Sequence, residues 1–419
     1  MNSDQVKKYK VDHNKVDDLC ENMNQVFEAT SQAFTMQENV TLSLGAEAND
    51  YDKWKKRVDS EREGLKKNLD KSAKAVTKIV EAATKDTIKQ ANKQMLEIDK
   101  DLSKPSAILI KEQQKAVMQY GRSVLKDFDD KVNKIYKLRN QEPLFDAIAK
   151  YTDKSRLEQA PKIVYSDGKE VNFRSYMEMN IRTTIKQEIN ENLFQASANN
   201  GVVFYLGSSF ADCAKDHLMY DGKMFYDANW QSFGYDEETS DLIQEYIDSH
   251  NLMTYQEAIE GTFTTRPNCR HTLTPMPIDE VISKPVKQLL QENHLEAVSP
   301  RNDTNYLITQ KQRYLERQIR MNKQNLETHK MILKNAPSEK IQNHITNDQR
   351  AITAHQRELQ ALIKKYGEEN GGFLRRDYRR ENPAIVVQDA GVRYTVGIRG
   401  ASSSQLSKLV EDQQIIVIK

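Results

Sequence analysis

The sequence predicts an α+β fold that is predominantly α, with long helical hairpins flanking a small α+β core and a short β-containing C-terminal tail. Hydrophobic residues make up only 38% of the 419 residues and charged residues 29%, with 15 glycines and 10 prolines. So polar a chain with so few helix breakers favours long helices with narrow apolar seams. Half of the aromatic residues, 16 of 32, fall between residues 153 and 285. The compact core is therefore expected there.

Residues 1–152 are predicted to form an N-terminal helical arm. From Lys53 to Asp101 there is no proline and one glycine, and Pro105 should end this first helix. A second helix is expected from about Ser106 to Leu138. It stays open whether the hairpin is only structural or also offers a partner surface. The apolar stripe of the first helix, at steps of three and four, consists of Val58, Leu65, Leu69, Val76, Val80, Ala83, Ile88, Ala91, Met95, Ile98 and Leu102.

Residues 153–300 are predicted to form the α+β core. The pair Asp167-Gly168 lies between two β-rich runs and indicates a β-hairpin. A helix from about Arg174 to Ala198 should end at Asn199-Asn200-Gly201, a helix-stop signature. Strands are expected at Val202–Gly207, Met224–Tyr226 and Arg270–Thr274.

Residues 301–372 are predicted to form a second helical hairpin, and residues 373–419 a basic turn and a small β-rich tail. Asn335-Ala336-Pro337-Ser338 should form the hairpin turn, with the proline in the first turn of the second helix. The tail should contain two strands (385–388 and 393–398), a short helix and a last strand at 415–418. The apolar residues of the hairpin are Ile308, Leu315, Ile319, Leu326 and Leu333, then Ile341, Ile345, Ile352, Leu359 and Ile363.

Two cysteine–histidine pairs are the candidates for chemistry. Cys213 and His217 are four residues apart and share a face if their stretch is helical, while Cys269 and His271 share a face if theirs is a strand. Two thiolates and two imidazoles form a closed tetrahedral zinc set, which is typical of structural sites. Neither spacing is a standard zinc-finger spacing, so two buried free cysteines beside polar histidines remain the alternative.

Catalysis has little support in the sequence, and we expect no enzyme. The chain has no phosphate-binding glycine loop, no HExxH motif and no nucleophile elbow. The basic cluster Arg375, Arg376, Arg379 and Arg380 is a weak DNA-binding candidate. The competing interpretation is an exposed turn partly neutralised by Asp377 and Glu381.

The overall composition limits the partners and the compartment. The formal net charge of +1 gives no global field for nucleic acid or an anionic membrane. No secretory signal or membrane anchor is predicted, and three cysteines, Cys20 included, do not make a disulfide framework. These features favour a soluble protein made in a reducing cytoplasm.

Four motifs in this order resemble the phage minor capsid protein type 2 family, with the helical hairpin between the last two. They span roughly residues 160–380. The motifs are YSDGKEVNFRSYMEMNIRT (165–183), DCAKDHLMYDGKMFY (212–226), RPNCRHTLTP (266–275) and LRRDYRR (374–380).

The chain is also similar to the related phage head-morphogenesis minor head proteins, whose cysteines suggest the metal ligands here. Aligned on Asp221-Gly222, His217 and His271 stand where those proteins have cysteines, Cys269 matches a cysteine, and Cys213 stands one residue early. Arg266 replaces their histidine. Because cysteine and histidine are both good zinc ligands, this resemblance implies a structural zinc bound by Cys213, His217, Cys269 and His271.

The resemblance implies a structural minor capsid protein of a tailed bacteriophage. Such a protein is made in the host bacterial cytoplasm, is located in the phage head, and associates with the portal vertex. Its implied partners are the portal protein and capsid or scaffold proteins, with genomic DNA as a further candidate. Its implied roles are head morphogenesis, genome packaging or DNA ejection. The alternatives are a phage-delivered metal-dependent hydrolase or nuclease, and a DNA-binding packaging factor.

Overall fold

A computed structural model describes most of the chain. The described residues are 31–94, 107–152, 162–297, 301–381, 385–388 and 393–396, with gaps at 32–33, 36–37, 165–167, 169 and 267–268. The fold is α+β and mainly helical, as the composition predicts. Within the described part of the chain, no helix combines the length and the apolar character needed to cross a bilayer.

The N-terminal arm is built on two long helices, α1 (Tyr51–Gln94) and α2 (Ala107–Lys137), followed by the short α3 (Leu144–Tyr151). Both long helices match the predicted hairpin closely. The predicted apolar positions Val58, Leu65 and Leu69 are buried. Trp54 is buried beside them and donates a hydrogen bond from its indole Nε1 to the Leu42 carbonyl, at 2.7 Å. Burial of this seam is what makes a long, otherwise polar helix stable.

The predicted β-hairpin and the helix after it are confirmed. Strands β1 (Lys162–Val164) and β2 (Glu170–Asn172) pair antiparallel, with Ile163 opposite Val171. Helix α4 (Phe173–Asn199) follows, and Gly201 adopts a φ of 67° just beyond its end. This left-handed conformation costs glycine little, which is why the helix stops there.

A four-stranded sheet forms the centre of the α+β core. Its strand order is β5 (Met253–Thr254), β4 (Met224–Tyr226), β3 (Phe204–Gly207), β6 (Leu273–Met276). Strand β3 is antiparallel to both neighbours, and β4 is parallel to β5. Strand β3 begins two residues later than expected, and β6 is displaced toward the C-terminus, beginning at Leu273 rather than Arg270.

Helices cover both faces of this sheet. Phe204 and Leu206 pack on one face in an apolar cluster with Ile243, while Tyr205 packs on the other face against Phe194. Successive side chains of a strand point to opposite faces, so an unbroken apolar run fits a strand buried on both. The helices that complete this core are α5 (Glu237–His250), α6 (Tyr255–Glu260), α7 (Ile278–Ser283) and α8 (Val286–Glu292).

The second helical hairpin consists of α9 (Asp303–Asn335) and α10 (Glu339–Tyr366). One detail of its predicted turn is wrong. Ser338 is the N-cap of α10 and accepts a hydrogen bond from the Lys340 N–H, so Pro337 precedes the cap instead of lying in the first turn. A side-chain oxygen at the N-cap satisfies a backbone N–H that the helix leaves unpaired.

The tip of the second hairpin is buried against the N-terminal arm. Ile332, Ile341 and Ile345 belong to the same apolar cluster as Trp54 and the rest of the arm seam. The segments predicted as 1–152 and 301–372 therefore share one hydrophobic core, although they lie far apart in sequence.

A buried histidine–aspartate pair lies at this junction. His329 Nδ1 is 2.8 Å from Asp348 Oδ2, and its Nε2 is 3.0 Å from the Thr152 carbonyl. Both side chains are almost fully buried. This His329–Asp348 pair ties α9 and α10 to the end of α3.

The described C-terminal segment contains the short helix α11 (Tyr378–Glu381) and an antiparallel pair, β7 (Ile385–Gln388) and β8 (Arg393–Val396). The two strands were expected. The short helix predicted after them and the last strand at 415–418 lie outside the described residues.

Candidate metal centre

Two loops at the edge of the central sheet carry the predicted metal ligands. Cys213 lies in the connection between β3 and β4, and His217 ends a single 3₁₀ turn there. Cys269 and His271 lie just before β6. The helix and strand settings considered for the two pairs are thus both wrong, and the loops themselves bring the side chains together. We refer to Cys213, His217, Asp221, Cys269 and His271 as the cysteine–histidine cluster.

Three of the predicted ligands converge on one point. Cys269 Sγ is 3.6 Å from His217 Nδ1 and 3.4 Å from His271 Nδ1. With Zn–S near 2.3 Å and Zn–N near 2.0–2.1 Å, tetrahedral coordination places sulfur and nitrogen about 3.5–3.6 Å apart. The two sulfur–nitrogen distances therefore match those of a tetrahedral zinc site, and the three ligand atoms all lie within 4.8 Å of one another.

Cys213 belongs to an adjacent group. Its sulfur, an Asp221 oxygen and a His271 nitrogen all lie within 4.8 Å of one another. His271 is thus shared, because its ring also contributes to the group with His217 and Cys269. The structure brings His217, Cys269 and His271 into one set and leaves Cys213 beside it.

Aromatic rings enclose the cluster. The Phe263 ring lies 4.8 Å from the His271 ring and 5.9 Å from the His217 ring, and Phe210 packs edge-on against His271 at 5.2 Å. The four predicted ligands are only 2–8% exposed. A substrate would have no direct access to a metal held here, so the setting is typical of structural sites.

The segment that supplies Phe263 has a strained backbone. Thr262 and Thr264 have φ angles of 71° and 65°, values that β-branched residues rarely adopt. These two residues flank Phe263, which is fully buried, and the Thr262 hydroxyl lies 3.4 Å from His217 Nε2. Strain of this kind persists only where surrounding contacts hold it, and it is frequent at functional sites.

The two cysteines have opposite electrostatic environments. Burial would raise the pKa of Cys269, but hydrogen bonds to His217 and His271 outweigh it and lower that pKa. Burial raises the pKa of Cys213, and the neighbouring His271 only partly offsets this. Since a metal binds the thiolate, Cys269 is the better prepared ligand.

The comparisons with known proteins bear on the same region. The family model for phage minor capsid protein 2 matches residues 140–364, more than half of the chain. The chain belongs to the phage minor capsid protein 2 family. No curated protein and no solved structure matches the sequence. The match covers the α+β core, the whole cysteine–histidine cluster and nearly all of the second hairpin, so it includes the part of the molecule that contains the candidate site.

Polar contacts join the cluster to the base of the second hairpin in this family member. Arg270, between Cys269 and His271, forms an ion pair with Asp212. Arg301 Nε donates to the Cys213 carbonyl at 3.3 Å, and the Asn305 amide donates to the Ala211 carbonyl at 3.1 Å. Any ion that fixes these loops would also fix the start of α9.

The basic run is largely occupied by internal contacts. Arg376 makes two hydrogen bonds with Glu381, at 2.6 and 2.8 Å, and Arg380 Nε lies 3.7 Å from Asp377. Arg375 is exposed, and the Arg379 side chain lies outside the description. This is the geometry expected of a self-neutralised turn. DNA binding by the four arginines stays a prediction.

Sequence reasoning missed the groups that support the ligands. Asp221 lies 2.8 Å from His271 Nε2, and buried Lys186 donates to the Cys269 carbonyl at 2.9 Å. The only signal for Asp221 was its Asp-Gly motif, which reads equally well as a simple turn. Lys186 gave no signal, since a lysine on a long helix is usually exposed.

Proposed function

We propose that this phage minor capsid protein is a structural component of the head that associates with the portal vertex and supports head morphogenesis, genome packaging or delivery. Its fold supports a scaffold role, since α1 alone spans about 66 Å at 1.5 Å per residue. The observation that supports a structural role is the enclosure of the cysteine–histidine cluster by Phe210 and Phe263, which denies a substrate direct access to a metal held there.

We propose that the cluster binds a structural zinc. His217, Cys269 and His271 would hold the ion, with Cys213 as the predicted fourth ligand. Zinc would supply cross-links between loops that are 52 residues apart in sequence, counted from His217 to Cys269. Metal binding that requires the folded state adds its binding free energy to folding. The chain's own contribution is to gather the ligands and exclude water.

Cross-linking mass spectrometry of purified virions tests the location. We expect the protein in intact particles at low copy, with cross-links from lysines of α1 and α2 to the portal protein. Lysines of the second hairpin, such as Lys311 and Lys330, serve as an internal comparison because they belong to a different helical element. Absence from virions, or cross-links to the major capsid lattice alone, would contradict the portal assignment.

A metal-dependent hydrolase or nuclease is the second candidate, because three converging ligands with an unfilled fourth position also occur in catalytic zinc sites. Metal analysis combined with Cys269→Ser and His271→Gln separates the two. A structural site predicts that zinc and thermal stability are lost together. A catalytic site predicts folded variants of unchanged stability that have lost a hydrolytic activity shown by the wild type.

A DNA-binding packaging factor is the third candidate, supported by exposed Arg375. Replacing Arg375, Arg376, Arg379 and Arg380 by glutamine should lower DNA affinity and its salt dependence if phosphates contact this turn. Replacing exposed Lys364 and Lys365 by glutamine gives a control that removes nearby positive charge. Equal affinity of the wild type and the arginine variant would remove this candidate.

A further inference from the structure

The geometry points to Asp221 as the positioning residue of the metal site: its carboxylate holds His271 so that Nδ1, and not Nε2, binds the ion. This inference rests on the proposed zinc site and specifies how that site is built. Asp221 Oδ1 lies 2.8 Å from His271 Nε2, while His271 Nδ1 faces Cys269 Sγ at 3.4 Å. The two ring nitrogens thus have separate partners.

Asp221 is itself firmly held. Its Oδ2 accepts a hydrogen bond from the Ser209 hydroxyl at 2.7 Å, and its Oδ1 accepts one from the Phe210 backbone N–H at 3.0 Å. Gly222 follows with a φ of 66°, and a Cβ there would lie 3.3 Å from the Ser209 side chain. The glycine of the Asp-Gly motif therefore lets the chain turn back tightly enough to hold the carboxylate in place.

The hydrogen bonds of Asp221 fit this role. The Ser209 hydroxyl and the Phe210 backbone N–H both donate to it, so each of its two oxygens already acts as an acceptor. An ionised carboxylate only accepts hydrogen bonds. His271 Nε2–H therefore donates to Asp221, which leaves Nδ1, the nitrogen that faces Cys269, as the one that would bind the ion.

This arrangement is the carboxylate–histidine–metal pattern found around bound zinc. A hydrogen bond from the distal ring nitrogen to a carboxylate fixes the tautomer and the ring orientation and makes the other nitrogen a stronger donor to the metal. The same hydrogen bonds limit Asp221 to a positioning role. With three hydrogen bonds already accepted, the carboxylate acts on the metal through His271, and the fourth ligand is left to Cys213 or water.

Zinc affinity of full-length variants tests the inference. Competition with a chromophoric chelator should show a loss of about 10–100-fold for Asp221→Ala, the range typical of such supporting groups. Asp221→Asn, which keeps an oxygen for His271 Nε2–H, should restore part of that loss. Asp216→Ala is the matched control, because Asp216 is on the same loop but is exposed and pairs with Arg266. It should bind zinc like the wild type.

Long-range ¹H–¹⁵N spectra of the histidine rings give a second readout, with His271 assigned from the spectrum of His271→Gln. Zinc should shift the Nδ1 resonance of His271 and leave Nε2 protonated. Metallation through Nε2, or unchanged affinity in a folded Asp221→Ala variant, would overturn the inference. Wild-type protein that binds no zinc would instead refute the proposed metal site, and the inference with it. A wild type that binds zinc through Nδ1 in a site insensitive to Asp221 would refute the inference alone.

Discussion

The described part of the chain contains two buried histidine groups that use the imidazole ring in different ways. In the cysteine–histidine cluster, His217 and His271 both direct Nδ1 toward the sulfur of Cys269. In the His329–Asp348 pair, one ring nitrogen faces a carboxylate and the other a backbone carbonyl. Burial alone therefore does not mark a metal centre. Ring nitrogens and a sulfur that converge on one point make a candidate metal centre, whereas a ring with both nitrogens paired connects neighbouring helices.

The largest expected effect is on the His329–Asp348 pair. Asp348→Ala removes the partner of a fully buried imidazole, and we expect it to lower the free energy of unfolding by about 3–5 kcal/mol, the usual loss when one member of a buried pair is deleted. Urea unfolding followed by circular dichroism measures this.

The double variant His329→Leu/Asp348→Leu is the matched control, because it removes both polar groups together. Apolar replacement of a whole buried pair is often neutral or stabilising. A double variant less stable than Asp348→Ala would contradict the view that the single change acts through an unpaired imidazole.

The second-largest effect is expected from added zinc, which should stabilise the protein through the cysteine–histidine cluster and not through the His329–Asp348 pair. At free zinc about 100-fold above the dissociation constant, binding to the folded state adds about 2.7 kcal/mol. We expect a zinc-dependent rise in melting temperature for the wild type and for Asp348→Ala, and none for Cys269→Ser. A rise that persists in Cys269→Ser would place the ion elsewhere.

The two cysteines should differ in their contribution to the site. Cys269 contacts both imidazoles and has a lowered pKa, whereas burial raises the pKa of Cys213. Cys213→Ser should therefore weaken zinc binding less than Cys269→Ser. Cobalt substitution provides the measurement, since sulfur-to-cobalt charge-transfer bands report how many thiolates bind. Equal losses of zinc affinity in the two variants, together with two cobalt-bound thiolates in the wild type, would show that Cys213 is a full ligand.

The smallest effect is expected from the hydroxyl beside His217. Thr262→Val keeps the shape and the β-branch but removes a long 3.4 Å contact to Nε2. We expect a loss of about 1 kcal/mol or less in unfolding free energy. Thr265→Val, on the same segment, controls for a general effect of losing a threonine hydroxyl. A loss of several kcal/mol would show that this contact orients His217 as Asp221 orients His271.

The sequence was a good guide where a local pattern controls the structure. The helical periodicity predicts α1, α2, α9 and α10 to within a few residues, except where the first helix was drawn past the described end of α1. The glycine signals at Gly168 and Gly201 locate a β-hairpin and a helix end. In these cases the determining interactions are between neighbours in the chain.

The sequence was a poor guide where distant segments meet. A helix at Cys213–His217 and a strand at Cys269–His271 would have placed each pair on one face, yet the cluster depends on how two loops fold over the sheet edge. The sequence did not indicate that Asp348 and His329 are buried together, because a charged residue on an amphipathic helix normally faces solvent. Their burial follows from the docking of the hairpin tip on the arm, which no local pattern encodes.

The shared core of the arm and the second hairpin affects how the protein is made. Thr152 and its partner His329 are 177 residues apart, which corresponds to roughly 9–35 s of translation at about 5–20 residues per second. During that interval the seam around Trp54 lacks the isoleucines that complete it. We expect the arm to complete its packing only after the second hairpin has left the ribosome, so the stability of the N-terminal helices depends on residues that are synthesised much later.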